Sequence, residues 1–348
     1  MGKGKGSISA ASKNLSERRG AFHLPESRSP ETSGNSSPLF RVDTSMTRIS
    51  RILIATVVTI LLQSSRALAC ACGCNAFTVG TMWNMPTTSG FSISLHYDYM
   101  NQSQDWGAWH HASPEVSDDK DIRTSFYTVG FQYMPTREWG FMVEAPVWDR
   151  YFETIGNGGK IAAVDHTSLG DVRITSIYTG LSEDMSTGLQ FGVKLATGPT
   201  DQSLMDRDTQ IGSGSTDLLL GGYRMGQENG WGWYGQVVWQ HAFNSHDGYR
   251  PGDDLDLSTG IHYDRLLEEL RIIPLLHLVA SFRGIDNGPK ANPGNTGYER
   301  VFVSPGVELV ASGNLRLFGD WKIPIVTHVR GHQLVAPALF SVTMGYDF

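Results

Sequence analysis

Phe91-Ser92-Ile93-Ser94-Leu95-His96-Tyr97-Asp98-Tyr99 carries an apolar or aromatic side chain at every odd position and a polar one at every even position. Successive side chains of a β-strand point to opposite faces, so this stretch predicts a strand with one apolar face and one polar face. The same alternation returns at 189–195 and at 255–263. A period of two therefore dominates the sequence from residue 90 onward.

Twelve segments of this kind follow one another up to the last residue. They span roughly 90–100, 122–134, 139–150, 170–181, 186–198, 215–226, 231–243, 253–264, 271–283, 299–311, 315–326 and 336–348. Each reaches or slightly exceeds the roughly 9–11 residues with which a tilted strand crosses the hydrocarbon of a membrane. The fold class predicted is all-β, with one antiparallel transmembrane β-barrel of about 12 strands.

The connections between these segments alternate in length. The short ones fall at 135–138, 182–185, 227–230, 265–270 and 312–314, and the long ones at 101–121, 151–169, 199–214, 244–252, 284–298 and 327–335. Bacterial outer-membrane barrels combine short periplasmic turns, long extracellular loops and an even number of strands. We therefore predict that both ends of the barrel domain lie in the periplasm and that the protein resides in the bacterial outer membrane.

Aromatic residues support the same prediction. Phe340, Val342, Met344, Tyr346 and Phe348 alternate up to the last residue, a pattern similar to the signal that barrel-assembly machinery reads in outer-membrane proteins. Other aromatic side chains lie near strand ends, where the aromatic girdles of a barrel belong. They are Trp139, Trp148, Tyr178, Trp231, Trp233, Trp239, Tyr263 and Trp321.

The first 89 residues divide into three segments. Residues 1–45 show no periodicity and predict a disordered extension, which a mis-called start would explain because Met46 directly precedes a signal sequence. Residues 46–69 predict a signal peptide, with Arg48 and Arg51 before an apolar stretch and Ala67-Leu68-Ala69 as the cleavage site. Residues 70–89 would form a cysteine-containing periplasmic segment or a plug, and 90–348 the barrel.

Composition limits the classes of partner. The chain has 348 residues and 28 Lys and Arg against 35 Asp and Glu. Cleavage after Ala69 removes ten of the basic and four of the acidic residues, leaving 18 against 31, a net charge of −13. This balance excludes nucleic acid as a partner. Acidic loops such as 115–121 would instead face lipopolysaccharide, through divalent cations, or solvent.

Several motifs resemble one family of outer-membrane barrels. Leu195-Ala196-Thr197-Gly198, then Gly212-Ser213-Gly214-Ser215-Thr216-Asp217, is similar to the family named after the meta-pathway of phenol degradation. Further matches are 168–171, 304–307 and 331–334, so the resemblance covers about 88–348. It implies a transporter-like barrel, and uptake of aromatic compounds. The chain departs from the family at Ala196, where proline is usual, and in its cysteine cluster.

The polar face of each predicted strand would line the lumen, because Arg or Lys facing lipid at mid-bilayer costs about 2–4 kcal/mol. The pore-lining residues predicted are His96, Asp98, Gln132, Glu144, Arg173, Lys194, Asp256, His262, His277, Glu308, Arg316, Asp320 and Lys322. They would either tune the selectivity of a pore for small molecules or fill the lumen with ion pairs. The function predicted is a porin-like channel, with a structural barrel as the alternative.

The three cysteines all lie in Cys70-Ala71-Cys72-Gly73-Cys74. Thiolates at this spacing suit Cu or Zn, so a metal-handling barrel is a further alternative. One disulfide and a spare thiol is the other interpretation, because the periplasm is oxidising. Apart from such a metal, we expect no cofactor.

An enzyme is the remaining alternative, since outer-membrane phospholipases also have twelve strands. Their His-x-Ser spacing recurs at His166-Thr167-Ser168, but Leu169-Gly170 follows where those enzymes carry Asn-Gly. The residue that would orient the histidine falls near Gly180, which has no side chain to do so. We therefore expect no catalytic residues.

Export predicts a defined mature N-terminus. Intact mass spectrometry of the protein extracted from membranes should give a chain beginning at Cys70. A peptide from residues 1–45 would overturn the predicted start, and a mass increase of one lipid anchor at Cys70 would make the protein a lipoprotein.

Overall fold

The fold is taken from a computed structural model, which describes residues 76, 77, 79, 84–113, 118–156, 159–311 and 313–348. The predicted extension, the signal peptide and the three cysteines lie outside these residues. The described part of the chain is almost entirely β-structure, and no helix in it is long and apolar enough to cross a membrane.

Twelve strands form a closed antiparallel barrel, as the alternation predicts. They are β1 (Gly90–Gln102), β4 (Asp119–Met134), β5 (Trp139–Ile155), β7 (Arg173–Tyr178), β8 (Thr187–Lys194), β9 (Asp217–Glu228), β10 (Trp231–Ala242), β11 (Asp254–Tyr263), β12 (Ile272–Arg283), β13 (Tyr298–Val310), β14 (Leu315–Val329) and β16 (Leu339–Asp347). Each pairs with its neighbours along the chain, and β1 pairs with β16 from Ser92↔Asp347 to Met100↔Leu339. This pairing removes the free edges that an open sheet would expose.

Four further strands lie in the long connections, where the sequence predicts loops. β6 (Ile161–Leu169) pairs with the outer part of β5, while β7 pairs only with Trp139 to Glu144 of that strand. β2 (Gln104–Gly107), β3 (His110–His111) and β15 (His332–Val335) form a small separate sheet. Sequence reasoning misses β2, β3 and β15 because they have only two to four residues each. It misses β6 because the outward positions at its centre, Ala163, Asp165 and Thr167, are small or polar.

The outer surface of the barrel is an apolar belt. Its members include Leu95, Tyr127, Phe191, Leu276 and Leu278, each between 44% and 46% exposed. Exposed apolar surface on this scale would be unfavourable in water at about 25 cal/mol per Å². The belt therefore fits a hydrocarbon environment.

Aromatic side chains surround the end of the barrel at which the short turns lie. Trp139 contacts Tyr178 and Trp231 contacts Tyr263, each with ring centroids 4.7 Å apart, and Phe91 lies 5.3 Å from Phe348. These are the positions at which a barrel places an interfacial girdle.

Trp148 does not belong to the girdle, contrary to the sequence prediction. It packs inside the barrel, with its ring 4.8 Å from that of Phe126. The reason is its position along the strand. Side chains alternate between the two faces of β5, and Trp148 falls on the same inward face as Met142, Arg150 and Phe152.

The described residues of the N-terminal segment up to Pro86 lie inside the barrel, whereas 87–89 are exposed. We call residues 76, 77, 79, 84 and 85 the inner segment. Met85 packs with Met142 and Ile177, near the short-turn end, whereas Val79 belongs to a buried cluster with Met100 and Leu339, near the long-loop end. The inner segment thus contacts the barrel wall near both ends of the interior.

A charge on the apolar belt should destabilise the barrel in a bilayer. Leu278→Arg is expected to lower the unfolding free energy in phospholipid vesicles by about 2–4 kcal/mol, because the guanidinium would enter hydrocarbon. The control is Leu204→Arg, since Leu204 is 51% exposed in the loop between β8 and β9. Equal losses in both variants, measured by denaturant titration, would contradict a lipid-facing belt.

Candidate functional site

The candidate site is the barrel interior. All thirteen residues predicted to line it occupy inward-facing strand positions. His96, Asp98, Gln132, Lys194, Asp256, His277, Glu308, Asp320 and Lys322 are buried, and Glu144, Arg173, His262 and Arg316 are half-buried.

One network joins β14 to its neighbours near the middle of the barrel. The Lys322 ammonium lies 2.9 Å from Asp320 Oδ2 and donates to the Ser341 hydroxyl at 2.9 Å. Ser304 donates to the same Asp320 Oδ2, and Lys322 also donates to Asp320 Oδ1 at 3.0 Å. Since both charged side chains are almost fully buried, their mutual pairing offsets the cost of leaving water.

Two predicted histidines lie nearby but have different surroundings. The His96 ring nitrogens lie 3.0 Å from Thr343 Oγ1 and 2.8 Å from Ser94 Oγ. His277 stacks on Phe318 with centroids 5.8 Å apart and meets Tyr234 edge-on at 5.3 Å. No group of three or more metal-binding side chains occurs among the described residues. Metal binding at Cys70, Cys72 and Cys74 stays a prediction, because these residues lie outside the described range.

Three of the five motifs that carry the family resemblance meet at Lys194. Its ammonium lies 2.8 Å from Asp171 Oδ2 and 3.1 Å from Asp217 Oδ2, and it also donates to the Ser213 hydroxyl. Asp171 in turn accepts from the backbone N–H groups of Gly198 and Ser213, each at 3.0 Å. Three sequence motifs that are distant along the chain therefore form one buried node. We call it the Lys194 node.

Glycine is required at one contact of this node. A Cβ at Gly198 would lie 2.7 Å from the Gly212 Cα, and a Cβ at Gly212 would collide with the Gly198 carbonyl. The two strand-to-loop junctions can approach this closely only without side chains. Sequence reasoning identified these glycines through the resemblance alone and did not predict their contact.

The loop between β8 and β9 (195–216) folds into the long-loop end of the barrel. Arg150 of β5, which is 1% exposed, donates to the Thr209 carbonyl, and Gln210 donates to the Met205 carbonyl at 2.9 Å. Burial, together with the nearby Asp118 carboxylate, raises the pKa of Asp206 in this loop. The loop thus narrows the interior at the long-loop end of the barrel, and the inner segment occupies further space inside it.

The inner segment is held by polar and aromatic contacts. Gln190 of β8 donates to the Asn84 carbonyl at 2.8 Å. The Phe77 ring lies 5.5 Å from the Phe126 ring, and the Lys322 ammonium lies 5.5 Å above the Phe77 ring. These contacts connect the segment to strands on several sides of the barrel.

A cavity of about 160 Å³ remains between the inner segment and the loop 195–216. We call it the upper cavity. Phe77, Phe126 and Trp148 supply an aromatic wall, and Arg173, Lys194 and Asp254 are among its charged lining residues. An apolar cavity of about 150 Å³ is large enough for benzene. The upper cavity can therefore hold a small organic molecule.

Comparisons with known proteins address the fold. No protein-family model matches the chain, and no curated protein matches it. The crystal structure of an outer-membrane channel from Pseudomonas putida F1 is similar, with a TM-score of 0.61 at 12% identity over 78% of this chain and 100% of the channel.

Two other barrels are less similar. The β domain of a Bordetella autotransporter has a TM-score of 0.46 at 13% identity over 75% of this chain and 100% of that domain. A mutant of the monoaromatic hydrocarbon channel TodX has a TM-score of 0.43 at 9% identity over 81% of this chain and 96% of the channel. These two values are too low to support an argument. The first comparison shows that the chain has the fold of an outer-membrane channel.

Proposed function

We propose that this protein is an outer-membrane channel for the passive passage of small molecules. The observation that carries the proposal is the upper cavity, lined by charged and aromatic side chains inside a closed barrel whose outer face is apolar. The fold shared with the Pseudomonas putida channel supports the same function.

The outer membrane is the proposed location. Supporting it are the apolar belt, the aromatic ring at the short-turn end and the closure of β1 on β16. Only helices and closed barrels satisfy all their backbone hydrogen bonds in hydrocarbon. On this proposal the Lys194 node and the loop 195–216 lie toward the extracellular side.

The proposed solutes are small aromatic or hydrophobic compounds. The resemblance to the barrels named after phenol degradation supports this, and three of its five motifs converge on the Lys194 node. The rings of Phe77, Phe126 and Trp148 would contact such a solute in the upper cavity.

Passage requires two elements to move. The inner segment packs against the wall near both ends of the interior, and the loop 195–216 lines the upper cavity. Both are joined to the wall by side-chain contacts and lie outside the continuous ladder of barrel strands, so either can shift without opening the barrel. We infer that the inner segment is the principal obstruction because it packs against strands all around the interior.

Lipid hydrolysis is not supported by the geometry at His166. Its Nε2 lies 3.2 Å from the Ser203 carbonyl, an acceptor, so this nitrogen carries the proton and cannot serve as a base toward Ser168. A general base must be within hydrogen-bond reach of the hydroxyl it activates. We therefore propose solute passage rather than lipid hydrolysis as the function.

Removing the inner segment should open the channel. A mature protein beginning at Pro86 is expected to show long-lived conductance steps in a planar bilayer, whereas the protein beginning at Cys70 should open briefly and seldom. A matched control begins at Ala76 and keeps every described residue of the segment. We expect it to behave like the protein beginning at Cys70.

The barrel itself should survive this truncation, because the ladder from β1 to β16 is unchanged. Heat-dependent migration in gel electrophoresis would verify folding in each variant. Silent, folded barrels beginning at Pro86 would contradict the channel proposal.

Weakening the Lys194 node should raise the conductance of the channel, because the loop 195–216 would no longer be held to the wall. Lys194→Met leaves Asp171 and Asp217 buried without their cation, which costs about 3–5 kcal/mol of local stability. We expect the loop 195–216 to detach and the open-state conductance of the Pro86 variant to rise. Lys160→Met, on the outer hairpin, is the control, and equal currents in both variants would assign the loop no role.

A further inference from the structure

The upper cavity has an unequal balance of charges. Six side-chain carboxyl groups and four Lys or Arg side chains line it, so acidic groups outnumber basic groups by two. The carboxylates belong to Asp98, Glu144, Asp171, Asp208, Asp217 and Asp254, and the cations to Arg173, Lys194, Arg207 and Arg283. A cavity with this excess favours a positively charged occupant.

The cationic side chains are already engaged with the protein. Lys194 is bound by two carboxylates, and Arg283 lies 3.7 Å from Asp254 Oδ2 and 3.2 Å from Asp286 Oδ1. Arg207 donates to the carbonyls of Gly212 and Ser213. These donors are therefore poorly placed to bind an anionic solute as well.

Asp254 offers the complementary group. Its side chain is almost fully buried and lines the upper cavity, and its Oδ1 has no hydrogen-bond partner among the described residues. A buried carboxylate oxygen without a donor is costly, since it has lost the hydrogen bonds of water. An N–H group of a bound solute would remove that cost.

The opposite part of the lining suits an apolar ring. Phe126 lies between Phe77 and Trp148, with ring centroids 5.5 and 4.8 Å away, respectively. The faces and edges of such rings contact other aromatic groups favourably and attract cations. A solute with one aromatic ring and one ammonium group would match both parts of the cavity.

We propose that the upper cavity is a binding site for small aromatic ammonium cations, in which Asp254 accepts a hydrogen bond from the ammonium group and the rings of Phe77, Phe126 and Trp148 contact the aromatic part. This proposal narrows the class of solutes for the proposed channel, and a role of the site in transport rests on that proposed function. Binding at the site itself depends only on the residues that line the cavity.

Calorimetric titration of the detergent-solubilised mature protein tests the site. The probes are benzylammonium, benzyl alcohol and benzoate, which share one ring and differ in charge. Benzylammonium is expected to bind about tenfold more tightly than benzyl alcohol, the advantage that one charge-assisted hydrogen bond confers, with benzoate weakest.

Asp254→Asn should remove most of this tenfold advantage. Asp256→Asn is the matched control, because Asp256 is equally buried, also has an unpartnered Oδ1 and does not line the upper cavity. It should leave the advantage within twofold. If Asp254→Asn does not fold, the comparison of the three probes on the unaltered protein still decides the proposal.

Equal affinities for the three probes, no binding of any of them, or equal effects of the two substitutions would overturn the proposal. Recording single-channel current in KCl tests the channel function independently of the ammonium-binding site. A conducting protein that does not discriminate among the probes would refute only the ammonium site. A silent protein that binds benzylammonium selectively would refute only the channel.

Discussion

Closure of the sheet is the constraint on which the rest of the structure depends. In hydrocarbon no water replaces a missing backbone hydrogen bond, so the first and last strands must pair. They do so along nine residue pairs between β1 and β16. Closure then fixes the two faces of every strand, one toward lipid and one toward a confined interior. The apolar belt and the charged lumen are both consequences of this.

Confinement makes the interior charges depend on one another. Asp320 and Lys322 neutralise each other, and Asp171 and Asp217 share Lys194. Because these side chains are nearly cut off from solvent, each needs a partner. β14 supplies both members of the Asp320–Lys322 pair, whereas the groups of the Lys194 node come from separate segments. The Lys194 node thus secures the loop 195–216 to the wall through Asp171, while Phe77 and Met85 secure the inner segment.

The barrel could be predicted from sequence because alternation reports which face of a strand meets an apolar environment. It placed His96, Lys194 and Lys322 on the inward face and set the order of long and short connections. It could not reveal β6, because the outward positions at the centre of that strand, Ala163, Asp165 and Thr167, are small or polar. It also missed the inward position of Trp148, although the alternation of side chains along β5 was an available signal. The meeting of Asp171, Lys194 and Asp217 is a product of the closed topology, which no single stretch of sequence encodes.

The central claim is that solute passes through the interior that the inner segment occupies. The most direct measurement tethers that segment reversibly, with Phe77→Cys and Phe126→Cys in a protein whose three native cysteines are replaced by serine, since the two rings are 5.5 Å apart. The account predicts that a single channel is closed while the disulfide is intact and opens when reductant is added. Current that is unchanged by reduction, with the disulfide confirmed by mass, would contradict it.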